Sequence, residues 1–281
     1  SYPRNQIGRW NLSTTNTTAL NQAINIISSD STTYARAKVI NDATNSGYTT
    51  YSISDTAANI AGGTITDVSA ISNSQVVAAN TYAVISEADK IANISKVVIY
   101  SVKDTSANLT SLASTNANGL NKAVNLISTD SCTYAQAKII EDATNSGYET
   151  YDISDTATNL VAGVSTDSVS ITNGQTVSAS TYATASEANV LAGLSKSVNY
   201  SIKDTSANIA GANSTALNQA INIICTTDAN VAQATIIDNA TNGGVNTYNI
   251  VDTDGNVAGA GYTLLSTAGT VTVTDTSTVV H

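Results

Sequence analysis

Apolar side chains recur with a helical period in two neighbouring segments near the start of the chain, residues 16–30 and 33–45. The positions that carry this period are Leu20, Ala23, Ile24 and Ile27 in the first segment and Tyr34, Ala37, Ile40 and Ala43 in the second. The spacing predicts two amphipathic helices. We expect Ser31 or Thr32 to cap the second helix, and Gly47 to end it in a left-handed conformation.

The period changes to two over residues 48–54, where Tyr51 and Ile53 alternate with hydroxyl side chains. This alternation predicts a strand with one buried face. Asp55 closes the strand, and its carboxylate is expected to cap the short turn DTAANIAGG at 55–63.

The next segment, residues 65–79, alternates in a way that predicts a β-hairpin. Its later counterpart contains Asn173–Gly174, which is a strong hairpin-turn signal. A helix is expected over 81–95 and a strand over 97–104, followed by a second D-T-x-x-N turn.

The same phrase recurs along the chain. It begins at Asp55, Asp104, Asp155, Asp204 and Asp252, with spacings of 49, 51, 49 and 48 residues. Residues 31–47 reappear at 131–147, and ALNQAINII at 19–27 returns at 216–224. The sequence therefore predicts a mixed α/β repeat protein, built as a solenoid-like stack of helix–strand–turn half-units of about 50 residues with β-hairpin insertions and a C-terminal β segment.

The repeat sets the expected domain boundaries. They are an atypical N-terminal segment at 1–13, repeat units at 14–113 and 114–213, a partial unit at 214–262, and a C-terminal strand segment at 263–281. Strands of successive halves should be parallel, because each is reached through a crossover that contains a helix. The alternative is three compact α+β domains on a string, with no ladder between them.

In a stack, equivalent side chains fall into columns. We expect one column of strand tyrosines, namely Tyr51, Tyr100, Tyr151, Tyr200 and Tyr248. A second column of buried turn asparagines, Asn59, Asn108, Asn159, Asn208 and Asn256, should satisfy the backbone of neighbouring coils, next to the five aspartates.

Both ends depart from the repeat. Residues 1–13 are basic and contain the only Trp, whereas 263–281 alternate Val with Thr as in a flat strand. That strand either covers the last repeat or completes the sheet of a neighbouring subunit. The side chains expected to contact other subunits are Arg4, Arg9, Trp10, Val271, Val273 and Val279.

Composition argues against several classes of function and structure. Charged residues make up 11% of the chain and the net charge is −10, which argues against nucleic acid because no basic stripe is present. No apolar run is long enough to span a bilayer. Cys132 and Cys225 occupy non-equivalent repeat positions, so a disulfide framework is not expected.

Few residues are candidates for catalysis or metal binding. The single histidine, His281, is the last residue, so neither a catalytic triad nor a zinc site is expected. The neighbouring acids Glu87 and Asp89, and Glu141 and Asp142, are interpreted as solvated helix charges rather than a glycosidase pair. We therefore predict that the protein is not an enzyme.

No cofactor is expected, although calcium is one candidate. The aspartates Asp55, Asp104, Asp155, Asp204 and Asp252 could in principle bind calcium together with nearby carbonyl oxygens. EF-hand spacing is absent, however, and capping alone would explain an Asp-Thr pair before a turn.

The phrase S-D-T-A-A-N-I at 54–60 and its four relatives, preceded by T-Y-A-x-A and A-T-N-S-G, resemble tandem repeats of large secreted prokaryotic surface proteins. Such repeats occur in adhesins exported by type I secretion and in surface-layer-like proteins. The similarity covers about residues 14–258. It implies an extracellular or cell-surface location and a structural or adhesive role, with no catalytic residue to carry over.

These observations favour a self-assembling subunit of an extracellular filament or surface layer, whose end segments contact further copies of the chain. A stalk or binding segment of a large secreted adhesin is the alternative. A polysaccharide-active enzyme is a third hypothesis, but it requires a unique cleft that the repeat does not supply. Surface glycans are compatible with the hydroxyl-rich and amide-rich composition as a second class of partner.

Overall fold

The computed structural model describes residues 17–275. Over this range the chain is mixed α/β, with sixteen helices and several short parallel sheets. It forms two compact units, one made of residues 17–129 and 142–150, the other of 130–141 and 151–275.

The first elements alternate short helices and short strands. In chain order they are α1 (Thr17–Gln22), β1 (Ile26–Ile27), α2 (Tyr34–Asn41), β2 (Thr49–Thr50), β3 (Ile53–Asp55), α3 (Ala57–Thr66), α4 (Ser69–Ser72), β4 (Val77–Ala79), α5 (Ile85–Ala92), β5 (Val98–Ile99), β6 (Val102–Asp104), α6 (Ser106–Thr115) and α7 (Asn118–Asn121).

The remaining elements continue the pattern. They are β7 (Leu126–Cys132), α8 (Tyr134–Glu141), β8 (Glu149–Asp155), α9 (Ala157–Thr166), α10 (Val169–Asn173), β9 (Val177–Ala179), α11 (Ala185–Ala192), β10 (Ile202–Asp204), α12 (Ser206–Ala210), α13 (Ser214–Gln219), β11 (Ile223–Cys225), α14 (Val231–Asp238), β12 (Asn246–Thr247), β13 (Ile250–Asp252), α15 (Asp254–Gly259), α16 (Tyr262–Thr267) and β14 (Val271–Val273).

Successive strands of the first unit pair in parallel, with partners 19 to 24 residues apart in sequence. The pairs are Ile26 with Thr49, Thr32 with Ile53, Ile53 with Val77, Val77 with Val98, Ala83 with Val102, and Val102 with Leu126. The expectation of parallel strands is thus confirmed here. A right-handed helix-containing crossover is the usual way to join such strands.

The second unit pairs its strands in the same way and over the same range of separations. The pairs are Ile153 with Val177, Ser178 with Asn199, Ala183 with Ile202, Ile202 with Ile223, Ile223 with Asn246, Ala229 with Ile250, and Ile250 with Val271. Each half-unit of the sequence therefore contains two strand segments, not one.

The predicted hairpin insertions are wrong. Residues 65–79 contain the end of α3, the helix α4 and the strand β4, whose two neighbours β3 and β5 are both parallel to it. Asn173 is the last residue of α10, and Gly174 follows it with ordinary negative φ. Ala70 and Ile71 are the buried residues of α4. The apolar residues that were expected to form one face of a strand therefore form the buried side of a helix.

The first predicted helix also ends earlier than expected. α1 stops at Gln22, because Ile26 and Ile27 pair with Thr49 and Thr50 in a strand ladder. Ile24 and Ile27 consequently do not line a helix face and are 72% and 62% exposed.

The D-T-x-x-N phrase is not a short turn but the start of a helix. In α3 and α9 the Thr is the N-cap, and its hydroxyl accepts the main-chain N–H of the Asn three residues on. An Asp followed by Thr after a strand therefore marks the strand-to-helix junction. Of the predicted C-terminal strand at 263–281, the described residues 263–275 contain most of α16 (Tyr262–Thr267) and the short strand β14 (Val271–Val273).

The five tyrosines of the predicted column are buried, although only Tyr151 lies within a strand, and each hydroxyl donates to a main-chain carbonyl of a following helix. The bonds run from Tyr51 to Ala70 (2.8 Å), Tyr100 to Gly119 (3.0 Å), Tyr151 to Ser170 (2.9 Å), Tyr200 to Ala216 (2.9 Å) and Tyr248 to Leu264 (3.4 Å). Burial raises the pKa of Tyr51 and of Tyr200 to about 12. Because β4 lies between β3 and β5, Tyr51 and Tyr100 do not stack directly on each other, contrary to the predicted column.

Two adjacent glycines of α3 make a sharp test of the packing. Gly62 is exposed with open space where a Cβ would be, whereas a Cβ on Gly63 would lie 2.5 Å from Cε2 of Tyr34. We expect Gly62→Ala to stabilise the protein by about 0.5–1 kcal/mol through helix propensity. Gly63→Ala should destabilise it by about 1–3 kcal/mol through overpacking.

Urea unfolding of both variants measures this difference. The second unit already carries Ala162 at the position of Gly62 and keeps Gly163 at the position of Gly63, against the ring of Tyr134. Equal effects of the two substitutions would show that the Tyr34 ring does not constrain α3.

Candidate functional site

The five repeat aspartates form the most regular polar arrangement in the described chain. Each ends a strand and precedes a helix, so its carboxylate lies between the strand ladder and the helix layer. Asp55 and Asp155 are 6% and 8% exposed.

One carboxylate oxygen of each aspartate reaches back to the preceding helix. Oδ2 accepts the main-chain N–H of that helix's first residue. The bonds are Tyr34 to Asp55 (2.8 Å), Ile85 to Asp104 (2.9 Å), Tyr134 to Asp155 (2.9 Å), Ala185 to Asp204 (3.0 Å) and Val231 to Asp252 (2.9 Å). The donor and acceptor lie 19 or 21 residues apart, so the bond ties one strand segment to the helix before it.

The other oxygen serves the aspartate's own junction. Oδ1 accepts the N–H of the following Thr at 2.7–2.8 Å, at Thr56, Thr105, Thr156, Thr205 and Thr253. It also accepts an N–H of the Asn side chain four residues on at 2.7–2.9 Å, from Asn59, Asn108, Asn159, Asn208 and Asn256. We call this set of three bonds the aspartate clamp.

The asparagines of the phrase do not form the predicted buried ladder. All five are exposed. They hold the carboxylate of their own clamp, and the aspartate makes the bond to the neighbouring segment. The aspartate contacts the neighbouring segment because it lies at the end of the strand, whereas the asparagine lies in the first turn of the helix that follows.

The clamp also changes the carboxylate's acidity. Burial acts to raise the pKa of Asp104, but the hydrogen bonds from Ile85, Asn108 and Thr105 outweigh it and hold that pKa below its usual range. The same balance lowers the pKa of Asp204, and the Asn256 hydrogen bond chiefly lowers that of Asp252. These three carboxylates are therefore ionised at neutral pH.

This arrangement suits N–H donors better than calcium. Calcium takes six to eight oxygen ligands, whereas the groups that point at each clamp carboxylate are N–H groups. Over residues 17–275 no three His, Cys, Asp or Glu side chains are grouped so as to hold a metal ion.

The neighbouring acids are engaged in structure as well, which differs from the prediction of solvated charges. Glu87 accepts the main-chain N–H of Val84 at the start of α5, and Asp89 accepts Asn116 Nδ2 at 2.7 Å. Glu141 accepts the Tyr151 hydroxyl at 2.7 Å and an N–H of Asn173 at 2.6 Å.

A second ladder, which the sequence analysis missed, lies at the other end of the strands. Main-chain N–H groups donate to asparagine side chains 23 residues earlier, from Thr44, Tyr48, Thr144, Tyr148, Thr241 and Val245 to Asn21, Asn25, Asn121, Asn125, Asn218 and Asn222 respectively. Asn45, Asn145 and Asn242 donate back to the carbonyls of Ile24, Val124 and Ile221. The signal in the sequence was the recurrence of these asparagines with the 100-residue and 97-residue shifts.

Gly47 belongs to this asparagine ladder and is not a left-handed helix end. α2 ends at Asn41, and Gly47 has no positive φ. A Cβ on Gly47 would overlap Asn25 Oδ1 and the Ile24 carbonyl, so the side chain is absent to allow close approach of the two segments. Gly147 and Gly244 make the same approach in their repeats.

The predicted assembly residues are only partly within the described range. Arg4, Arg9, Trp10 and Val279 lie outside it. Val271 and Val273 lie on β14 and are 40% and 41% exposed. Cys132 is buried and Cys225 half-buried, and burial raises the pKa of the Cys225 thiol to about 11.

None of the described helices has the length and apolar character needed to cross a membrane. No protein-family model, curated protein or solved structure matches the chain.

Proposed function

We propose that this protein is a non-enzymatic structural subunit of an extracellular filament or surface layer, assembled from copies of itself. The observation that carries the proposal is the outward edge of β14. In each unit the strands follow one another in a parallel ladder, and that edge pairs with no described residue.

The two sides of β14 can be assigned from its hydrogen bonds. The Ile250 N–H donates to the Thr270 carbonyl, and the Thr274 N–H donates to the Asp252 carbonyl. Because alternate residues of a parallel strand bond to opposite neighbours, Val271 and Val273 direct their N–H and C=O groups away from β13. A further parallel strand would satisfy them.

A second copy of the chain can supply that strand. The outward edge of β1 lies at Ile27, since the flanking N–H groups of Ile26 and Ser28 bond to the Tyr48 and Thr50 carbonyls. A contact between two different edges is heterologous, and repeating it without closure gives a filament. The solenoid-like stack of repeats would then continue from one subunit to the next.

The repeats support a structural role in a second way. The recurring aspartate of each half-unit holds neighbouring segments together through the clamp, and the asparagine ladder does so once in each longer repeat. The extracellular location is supported by the resemblance of these repeats to those of secreted surface proteins.

Val273→Pro tests the proposal, because it removes an edge N–H that β13 does not use. Proline is tolerated at sheet edges, so the fold should persist. We expect negative-stain electron microscopy to show filaments or sheets of the unaltered chain and separate particles of Val273→Pro. Val273→Thr keeps the N–H and is the matched control that should still polymerise.

Circular dichroism would verify that Val273→Pro is folded. Separate particles from the unaltered chain at every concentration would contradict self-assembly. They would leave a stalk segment of a larger adhesin as the function to pursue.

A further inference from the structure

An exposed apolar patch lies on the outer face of the sheet in the first unit. Val76, Val97 and Ile99 form it and are 49%, 81% and 49% exposed. Together with Gln75, Ser95 and Lys96 they line a shallow depression of about 500 Å³. We call the three apolar side chains the valine patch.

The second unit shows that the fold does not require this patch. At the positions shifted by 100 residues stand Thr176, Ser197 and Asn199, which are also exposed. The pairing of the backbone corresponds, since Ala78 of β4 pairs in parallel with Ile99 of β5 and Ser178 bridges in parallel to Asn199.

The buried positions between them are unchanged. Val77 and Val98 are buried in the first unit, as are Val177 and Val198 in the second. The two copies thus share a core and differ on the surface. Exposed apolar side chains that a folded copy replaces with polar ones mark a contact surface.

Charge differs between the two copies in the same sense. Thr176 in the second unit bonds through its N–H and hydroxyl to the Asp152 carboxylate, the hydroxyl at 2.6 Å. The first unit has Ser52 at the position of Asp152, and the only charged side chain lining its depression is Lys96, whose ammonium donates to the Ser74 carbonyl.

We propose that the valine patch is a lateral contact between two copies of this chain, which joins neighbouring filaments of the assembly proposed above. A chain of net charge −10 repels its own copies, so an apolar surface that no acidic residue of the described range lines is where two of them can approach. Patch-on-patch contact removes the exposed valines from water.

The size of the patch favours a copy presented in an array over a single soluble partner. Three side chains are too few to bury the area, roughly 1,200 Å² or more, of a stable one-to-one complex. Filaments repeat the patch in every subunit, so many weak contacts act together. The inference rests on the proposed function in this respect.

The second unit supplies the residues for the test. The variant Val76→Thr, Val97→Ser, Ile99→Asn carries side chains that the same backbone already accommodates. We expect it to keep its melting temperature and its filaments but to lose their side-by-side pairing, with a rise of about tenfold or more in the concentration needed for bundling. The reverse variant Thr176→Val, Ser197→Val, Asn199→Ile, with Asp152→Ser, should strengthen bundling.

Sedimentation of the edge-blocked Val273→Pro chain separates the two proposals. If the patch acts as proposed, this chain forms weak dimers at high concentration, and the triple polar substitution abolishes them. Bundles or dimers unchanged by that substitution would overturn the lateral contact while leaving end-to-end assembly intact. If the unaltered chain forms no filaments but still forms dimers that depend on the patch, end-to-end assembly is overturned and the lateral contact stands.

Discussion

Asp55→Ala should lower the free energy of unfolding by about 3 kcal/mol, since hydrogen bonds to a charged group contribute about 1.5–3 kcal/mol and orphaned buried donors add a desolvation cost. The carboxylate is buried and accepts the main-chain N–H groups of Tyr34 and Thr56 and the side-chain N–H of Asn59. Removing it leaves donors at the starts of both α2 and α3 without their acceptor. Helix starts have no intrahelical substitute.

Urea unfolding followed by circular dichroism measures this loss. Asp30→Ala is the matched control, because Asp30 has the same charge, lies in the same unit and is exposed; its effect should stay within about 0.5 kcal/mol. Asp55→Asn should fall between the two, because an amide keeps one acceptor oxygen but directs N–H groups at the donors. Equal effects of Asp55→Ala and Asp30→Ala would show that the clamp does not hold the two segments together.

Local pattern predicted the parts of the fold that depend on one segment. The alternation at 48–54 identified Tyr51 and Ile53 as buried, and the apolar period identified α2. The predicted strand is divided into β2 and β3, and Tyr51 lies between them. The end of the strand at Asp55 followed from its side-chain chemistry. In each case burial of one face decides the structure, and burial is written into the spacing of the residues.

Contacts between segments could not be predicted in this way. The Oδ2 bond of Asp55 reaches Tyr34, and the asparagine ladder joins Asn25 to Tyr48. Which residues face each other depends on how many residues each crossover contains, and the repeat of about 50 residues concealed two strand segments per half-unit. The hairpin prediction failed for a local reason, since a short apolar run fits a helix turn and a strand equally well.

The patch on the first unit illustrates a different limit. Val97 and Ser197 occupy equivalent places, and the sequence alone does not say which face of the strand is solvated. In the structure both positions are exposed, so the difference between Val97 and Ser197 lies on the surface and not in the core. Internal repeats thus serve as controls for each other once their backbones are known to match.

Acid should destabilise this protein steeply. The pKa values of Asp104, Asp204 and Asp252 lie below their usual range, and the Lys38 hydrogen bond lowers that of Asp67 to about 2. A carboxylate whose pKa is depressed by folding adds stability above its unfolded pKa of about 3.9, and that stability is lost as the pH falls through the folded value. We therefore expect a constant melting temperature from about pH 8 to 5 and a steep fall between about pH 4 and 2.

Calorimetry across this pH range tests the expectation, and Asp104→Asn isolates one clamp. The variant should be less stable at pH 7. Its melting temperature should nevertheless fall less between pH 5 and pH 2, because it lacks the Asp104 carboxylate whose protonation destabilises the unaltered protein. The hydrogen bonds from Ile85, Thr105 and Asn108 are the cause, so the two effects should appear together. A melting temperature that stays level down to pH 2 would mean that the clamp carboxylates have no greater affinity for their N–H partners than for water. The regular spacing of the aspartates would then have to be explained by the solvent-facing chemistry of the repeats, because their cohesion would not depend on these carboxylates.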